Sequence, residues 1–179
     1  MGPDTRNDLK ATYAADVFSF ILSQNSSKFN KALSESGLAL QVGLNYFTQK
    51  HVGPISLTAI CNPAKAKACF EEIKHQINIM DNDDYFTDEQ LATAKRQLEI
   101  NDVRGKEITS NYVHTVSFWW CSASLDYYFN YIKNVQQVTR ADIQKYVRKY
   151  IKDKPYCVGL LVNPQMDRQL QPATFFKAD

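Results

Sequence analysis

The spacing of apolar residues along the chain changes between a helical period and a strand period. Apolar positions recur at helical spacing over residues 12–23 and over 26–36, and Gly37 is placed to end the second helix. From residue 38 the period becomes two, which predicts a strand over 38–48. A second apolar run over 55–61 follows a short connection, so the pattern predicts an antiparallel hairpin.

The alternation in the first of these strands divides its side chains between two faces. Leu38, Leu40, Val42, Leu44 and Tyr46 share one side of the strand. Because one face of a half-buried strand packs on the core, we expect these five residues to point inward.

The rest of the chain carries helix-start signals and one apolar run. Thr87 with Gln90 and Thr139 with Asp142 have the spacing of capping boxes, so each pair predicts the first turn of a helix. The continuous apolar run over 155–162 predicts a buried strand. After it, the sequence has no clear period.

These elements together predict an α+β fold, a two-layer sandwich of a mostly antiparallel sheet with helices on one face. We expect one domain over residues 1–164 and an irregular C-terminal tail over 165–179. Three predicted strands form a thin sheet for so many helices, and the sequence is therefore expected to be a fragment of a longer chain.

Composition and charge agree with a globular domain and exclude several classes of function. The 179 residues are 44% hydrophobic and 22% charged, with a net charge of +2. No basic run indicates nucleic-acid binding, and no apolar run is long enough to span a membrane. The four cysteines form no C-x-x-C pair and have apolar neighbours, so we expect buried free thiols (Cys61, Cys69, Cys121, Cys157).

Motifs for hydrolytic or metal chemistry are missing from the sequence. It contains neither H-x-x-E-H nor H-E-x-x-H, no G-x-S-x-G, and no glycine-rich phosphate loop. Glu71 and His75 lie four residues apart on a predicted helix, but they lack a third ligand and are interpreted as a solvated face. No catalytic residue and no metal site is therefore predicted in this chain.

Five segments, taken in order, carry a family resemblance. They are ATYAADVFSFIL, SSKFNKALSESGLALQV, FTDEQLATAKRQL, NVQQVTRADIQKYVRKYI and KPYCVGLL. Their order and spacing resemble the C-terminal, non-zinc-binding domain of the pitrilysin/insulinase family of zinc peptidases, which includes insulysin and the mitochondrial processing peptidase. The resemblance covers residues 2–164.

The resemblance implies a protein built from paired α+β halves. One half would carry H-x-x-E-H and the zinc, and this chain would close the peptide-binding chamber against it. The implied partners are the zinc-bearing half, in the same polypeptide or a separate subunit, and a peptide substrate. The parent would be a zinc metalloendopeptidase, with this chain inactive alone, and the resemblance favours a bacterial periplasm or envelope.

The resemblance further implies that, in active relatives, an Arg and a Tyr seven residues apart hold the substrate backbone. The matching positions here are Leu33 and Leu40, or Ser34 in place of Leu33 if one residue is deleted. Leucine has no hydrogen-bond donor, so this substrate-assisting role is expected to be lost.

An aromatic cluster near the C-terminal helices is the most unusual feature of the composition. Trp119, Trp120 and Tyr127 belong to it, and successive helical residues point about 100° apart, so the two tryptophans cannot face the same core. We expect a mixture of core packing and an interface with the partner half.

Two other interpretations remain open. In the first, the chain is a catalytically dead scaffold or protein-interaction domain of the same fold. In the second, it is an unrelated α+β binding domain. An H-x-x-E-H motif in the same reading frame or a neighbouring gene would separate the peptidase from the scaffold, and the topology would reveal an unrelated domain.

Overall fold

The computed structural model describes residues 1–171, apart from the side chain of Gln169. Two strands and a series of helices follow one another along this part of the chain. In order they are α1 (Leu9–Leu22), α2 (Lys28–Asn30), a π-helical turn (Lys31–Glu35), β1 (Gln41–Tyr46), β2 (Ile55–Ile60), a 3₁₀ turn (Pro63–Lys65), α3 (Ala66–Ile79), α4 (Asp88–Glu107), α5 (Thr109–Ser122), α6 (Leu125–Phe129), α7 (Tyr131–Gln137), α8 (Arg140–Tyr150) and α9 (Pro164–Leu170).

Helix α1 is the centre of the fold. Asp8 caps its N-terminus by accepting a hydrogen bond from the Ala11 N–H. Helix α1 packs against helices α4, α7 and α8, and it also contacts strand β1. Because neighbours surround it, apolar residues on several faces are buried, among them Ala14, Val17 and Phe18.

The predicted hairpin is confirmed. Strands β1 and β2 pair antiparallel from Gln41 opposite Ile60 to Tyr46 opposite Ile55. Leu44 is buried, and Val42 and Tyr46 are half-buried against the core, as the alternation predicted. The described residues form an α+β fold that is mostly helical, with this small antiparallel sheet.

The prediction that Leu40 points inward is wrong, because its side chain is 82% exposed. The chain bends between Gly37, where φ is 72°, and the first paired residue, Gln41. The Leu40 N–H still donates to the Ile60 carbonyl at 2.7 Å. The Leu40 backbone is therefore bonded to β2, although the alternation of inward and outward side chains begins only after this residue.

The predicted strand over 155–162 is also wrong. This segment has no regular structure, and Tyr156, Val158 and Leu161 are 65%, 42% and 99% exposed. A strand needs a neighbour for its backbone N–H and C=O groups, and within residues 1–171 β1 and β2 pair only with each other. An apolar run supplies no such neighbour by itself.

The predicted irregular tail is wrong where it overlaps α9. Asn163 caps that helix by accepting from the Met166 N–H, and Pro164 occupies its first turn. The rest of the predicted tail, residues 172–179, lies outside the described residues. No helix in the part of the chain described is long and apolar enough to cross a membrane.

The capping boxes are confirmed at the N-termini of both α4 and α8. Thr87 and Gln90 bond reciprocally through side chain and backbone, as do Thr139 and Asp142. These signals are local in sequence, so tertiary contacts are not needed to explain them.

The acidic loop between α3 and α4 is held by one face of α8. Residues 140, 144, 148 and 152 recur at four-residue spacing, which places them along one side of the helix and its C-terminal extension. Arg148 and Lys152 contact Asp81 at 2.8 and 2.7 Å. These two hydrogen bonds lower the pKa of Asp81.

Arg140 makes the densest contacts with this loop. Its Nη1 donates to the carbonyls of Asp83 and Phe86 at 2.8 and 2.6 Å, and its Nη2 donates to Asp88 Oδ1 at 2.6 Å. The guanidinium also lies 4.3 Å from the centre of the Phe86 ring. One side chain therefore joins the start of α8 to the loop and to the start of α4.

We expect Arg140→Ala to lower the free energy of unfolding by about 2–3 kcal/mol, because two carbonyls and one carboxylate lose a charged donor. Urea denaturation measures this change. Arg148→Ala is the matched control: Arg148 is 60% exposed and Asp81 keeps Lys152, so about 0–1 kcal/mol is expected. Equal losses in the two variants would contradict the assignment.

Candidate functional site

The two positions that the resemblance matches to substrate-assisting residues, Leu33 and Leu40, lie in different environments. Leu33 belongs to the π-helical turn and is fully buried, as is Phe29 four residues before it. Leu40 is exposed beyond Gly37. The seven-residue spacing therefore does not bring the two side chains to a common surface, and only Leu40 is accessible to a ligand.

The predicted aromatic cluster is present, and it divides between core and surface. Tyr127 is 3% exposed and stacks on Tyr13, with ring centres 5.1 Å apart. Trp119 is half-buried and lies 4.9 Å from the Tyr127 ring. Trp120 is 69% exposed. Tyr127 is therefore a core residue and not an interface residue, because α1 covers its ring.

The helical geometry of α5 explains why Trp119 and Trp120 point in different directions. Phe118 and Trp119 lie toward the rest of the molecule, with Phe118 ring contacts to Phe47 and to Trp119 at 5.6 and 5.1 Å. The next residue, Trp120, is rotated by about 100° and points to solvent. The expectation that Trp119 and Trp120 face different ways is confirmed.

The hydroxyl groups of the cluster are joined by hydrogen bonds to α1. Thr12 Oγ1 and the Tyr127 hydroxyl are 3.0 Å apart, and Asn134 Nδ2 donates to the Tyr13 hydroxyl at 3.0 Å. Buried polar groups of this kind fix the packing of neighbouring rings.

Asp16 is the most perturbed acid in the described chain. It is half-buried on α1, and the Tyr131 hydroxyl donates to its Oδ2 at 2.7 Å. Burial raises the pKa of the Asp16 carboxyl to about 7, and the Tyr131 hydrogen bond only partly opposes this effect. Tyrosines surround the group, among them Tyr127 and Tyr146.

Asp16 was missed by the sequence interpretation, although a signal was available. It is the one acidic residue within the apolar helical stretch TYAADVFSFIL. A carboxylate at such a position requires a buried donor or remains protonated. In the same region the Tyr146 hydroxyl is buried without a hydrogen-bond partner among the described residues.

A small cavity of about 200 Å³ adjoins the aromatic cluster. Arg6, Lys50 and Asp126 contribute charged groups to its lining, beside Tyr13 and Tyr127. The other lining residues are Thr5, Leu9, Ala123, Ser124 and Asn134. Ser124 Oγ accepts the Tyr127 N–H as a helix cap, and no histidine or cysteine lines the cavity to act as a base or nucleophile.

The described residues contain no group of three or more His, Cys, Asp or Glu side chains that could hold a metal ion. His51, His75 and His114 are all exposed. Near His75, Glu71 pairs with Lys74 at 2.8 Å, so this helix face is solvated and salt-bridged, as the sequence indicated.

Two of the four cysteines differ from the prediction. Cys69 is buried and Cys61 half-buried, but Cys121 and Cys157 are exposed. Cys157 is exposed because the segment 155–162 does not join the sheet, and Cys121 follows the exposed Trp120 on α5. Apolar neighbours in sequence therefore did not guarantee burial.

Comparison with known proteins gives both a family and a fold. The family model described as the peptidase M16 inactive domain matches residues 2–98, more than half of the chain. A search of curated proteins finds no match.

Two solved structures share the fold. The inactive peptidase domain of a candidate zinc protease from Bordetella parapertussis superposes with a TM-score of 0.72 at 17% identity, over 88% of this chain and 90% of that one. A protease from Helicobacter pylori superposes with a TM-score of 0.66 at 17% identity, over 85% of this chain. This chain spans 37% of the length of the Helicobacter protein.

The fold shared with the Bordetella domain and the family match agree with one another. The predicted resemblance to a non-zinc-binding peptidase domain is thereby confirmed. The chain belongs to the family of peptidase M16 inactive domains.

Proposed function

We propose that this chain is the non-catalytic half of a zinc metallopeptidase and closes a peptide-binding chamber against a zinc-bearing half. The observation that carries the proposal is the match of residues 2–98 to an inactive peptidase domain. The fold shared with the Bordetella domain over nearly its whole length supports the same assignment.

Exposed apolar side chains support a partner half. Trp120, Phe129 and Leu161 are 69%, 64% and 99% exposed. Large aromatic and aliphatic side chains at a surface are typical of positions buried by another protein. In this proposal Trp120 is the anchor on α5, because tryptophan is enriched among residues that dominate binding energy.

Zinc chemistry would belong wholly to the partner half. Bound zinc would lower the pKa of its water and polarise the scissile carbonyl there. This chain would contribute a wall of the chamber. Leu40 is its accessible residue at the substrate-assisting positions, and it offers apolar contact without a donor.

A second candidate is a scaffold whose whole assembly has lost catalysis. The leucines at both substrate-assisting positions, Leu33 and Leu40, favour it. The two candidates differ in one measurable property, which is whether association with the partner half increases peptide cleavage.

The experiment uses the protein that carries H-x-x-E-H in the same reading frame or in a neighbouring gene. We expect this chain alone to cleave no peptide in a fluorogenic library. Added to the zinc-bearing half, it should raise kcat/KM at least about tenfold, because closing the chamber orients the substrate and excludes water. Binding without any increase would favour the scaffold, and zinc-independent cleavage by this chain alone would overturn both candidates.

Trp120→Asp tests the anchor. We expect it to weaken association by about tenfold or more while the thermal midpoint stays unchanged, because the side chain is exposed in the free chain. Ser117→Asp introduces the same charge one helical turn earlier, at another exposed position, and is the matched control. Equal affinity for the Trp120→Asp variant and the original chain would remove α5 from the interface.

A further inference from the structure

The cavity beside the aromatic cluster is formed by segments that are distant in sequence. They are the N-terminal residues with the first turns of α1, the connection between β1 and β2, the start of α6, and α7. Thr5 holds three parts of the chain together here. Its N–H donates to the Gln49 carbonyl at 3.0 Å, and its Oγ1 donates to the Ser122 carbonyl at 3.0 Å. Hydrogen bonds therefore fix the position of the cavity wall.

Three charged side chains line this cavity, and none of them forms an ion pair with another described residue. They are Arg6, Lys50 and Asp126. Asp4 lies two residues before Arg6, but its carboxylate accepts from the backbone N–H groups of Arg6 and Asn7 at 3.0 and 2.7 Å. It therefore does not neutralise the guanidinium by a direct bond.

The charged groups keep hydrogen-bonding capacity for a ligand. The Arg6 guanidinium uses one of its several N–H groups for a contact between Nη1 and His51 Nδ1 at 3.3 Å. Asn130 Nδ2 donates to Asp126 Oδ1 at 3.0 Å, which leaves Asp126 Oδ2 to accept another hydrogen bond. The cavity thus offers donors from two cations and an acceptor from one carboxylate.

The inner side of the cavity is aromatic and well ordered by its contacts. Tyr13 and Tyr127 are 4% and 3% exposed, and their rings stack with centres 5.1 Å apart. Asn134, which also lines the cavity, donates to the Tyr13 hydroxyl at 3.0 Å. The volume of about 200 Å³ is smaller than that of sites for drug-sized ligands, so the matching ligand is a small one.

We propose that this cavity is a binding site for an acidic α-amino acid such as free glutamate. Two cations and one carboxylate give the charged lining a net charge of +1, two minus one. Glutamate at neutral pH carries two carboxylates and one ammonium group, so each of its charged groups meets an oppositely charged group of the lining. The proposal does not depend on the proposed function, because every group that it uses belongs to this chain.

The signs of the lining charges distinguish this ligand from simpler ones. A dicarboxylate without an ammonium group would leave Asp126 unpaired. A neutral amino acid has one carboxylate and would leave either Arg6 or Lys50 unpaired. Comparison of glutamate with glutarate and with glutamine therefore tests the two parts of the recognition separately.

The test is a titration of this chain with each compound, followed by the amide NMR signals of Ser124 and Tyr127 in the lining. The three charged side chains are exposed and screened by salt, so we expect a Kd for glutamate of about 1 mM. Glutamine and glutarate should each bind about three- to tenfold more weakly. Equal affinity for the three compounds, or unchanged signals at about 20 mM glutamate, would overturn the proposal.

Asp126→Asn tests the recognition of the ammonium group. We expect this change to weaken glutamate binding about three- to tenfold. Glutarate should bind no more weakly than before, because the carboxylate that is removed repels a dicarboxylate. Parallel losses for glutamate and glutarate would contradict the role of Asp126.

Arg6→Gln and Lys50→Gln test the two cations, and each should weaken the binding of glutamate and of glutarate about three- to tenfold. Lys10→Gln is the matched control, because it removes the same charge from an exposed position of α1 outside the cavity lining. It should leave both affinities within about twofold. A loss in this control as large as that in Lys50→Gln would show that binding follows net charge alone, which would overturn the site.

Discussion

Leu33→Arg is expected to unfold this domain or to lower its free energy of unfolding by about 4 kcal/mol or more. Leu33 is fully buried in the π-helical turn, in the same core cluster as Phe29. Truncation of a buried leucine alone costs about 2–5 kcal/mol, and an arginine adds a charge for which the core provides no partner. Urea denaturation with circular dichroism measures the loss.

Leu40→Tyr is the companion change and is expected to be nearly neutral, within about 0.5 kcal/mol. Leu40 is 82% exposed, so a larger ring meets solvent at this position. A folded Leu33→Arg variant with unchanged stability would show that Leu33 is not a core residue. Of the two positions, only Leu40 is therefore expected to accept its new side chain without loss of stability.

Asp16→Asn is expected to stabilise the domain above neutral pH by a few kcal/mol, since each unit of pKa shift corresponds to about 1.4 kcal/mol. The folded-state pKa of Asp16, about 7, lies above its ordinary value of 3.8. The folded state therefore holds this proton more tightly than the unfolded state. The stabilisation that protonated Asp16 gives to the folded state is fully present below about pH 4. It is lost as the pH rises through the folded-state pKa of about 7.

The measurement is the difference between the two proteins in free energy of unfolding from pH 4 to pH 8. Asparagine has nearly the same shape, can accept the Tyr131 hydrogen bond and does not ionise. The difference should be near zero at pH 4 and grow until about pH 7. Carboxylates with lowered pKa, such as Asp81, affect both proteins equally and cancel.

Tyr131→Phe gives an independent check on the same group. Tyr131 donates to Asp16 Oδ2, and that bond favours the ionised form. Removing this hydrogen bond should raise the pKa of Asp16 in the folded state further, so the loss of folding stability should extend to higher pH. A stability difference between Asp16→Asn and the original chain that does not vary with pH would contradict a shifted pKa at Asp16.

Local signals in the sequence were sufficient for the helix starts and the hairpin. Thr87 with Gln90 and Thr139 with Asp142 each satisfy backbone groups within four residues, so no distant contact has to be known. The family resemblance likewise depended on the order of short segments. It predicted a non-zinc-binding peptidase domain, which the family match confirmed.

Tertiary structure decided burial and strand pairing, which the period of the hydrophobic pattern could not predict. Leu33 and Leu40 are both apolar, yet Leu33 is buried within the π-helical turn, whereas Leu40 is exposed beyond the bend at Gly37. The run over 155–162 has strand composition, but strand formation depends on a neighbour elsewhere in the chain. The shifted pKa of Asp16 arises in the same way, from groups that meet only after folding. The sequence by itself determined the local hydrogen bonds and the family, whereas burial, pairing and ionisation were decided by the tertiary structure, because each depends on neighbours that only the folded chain provides.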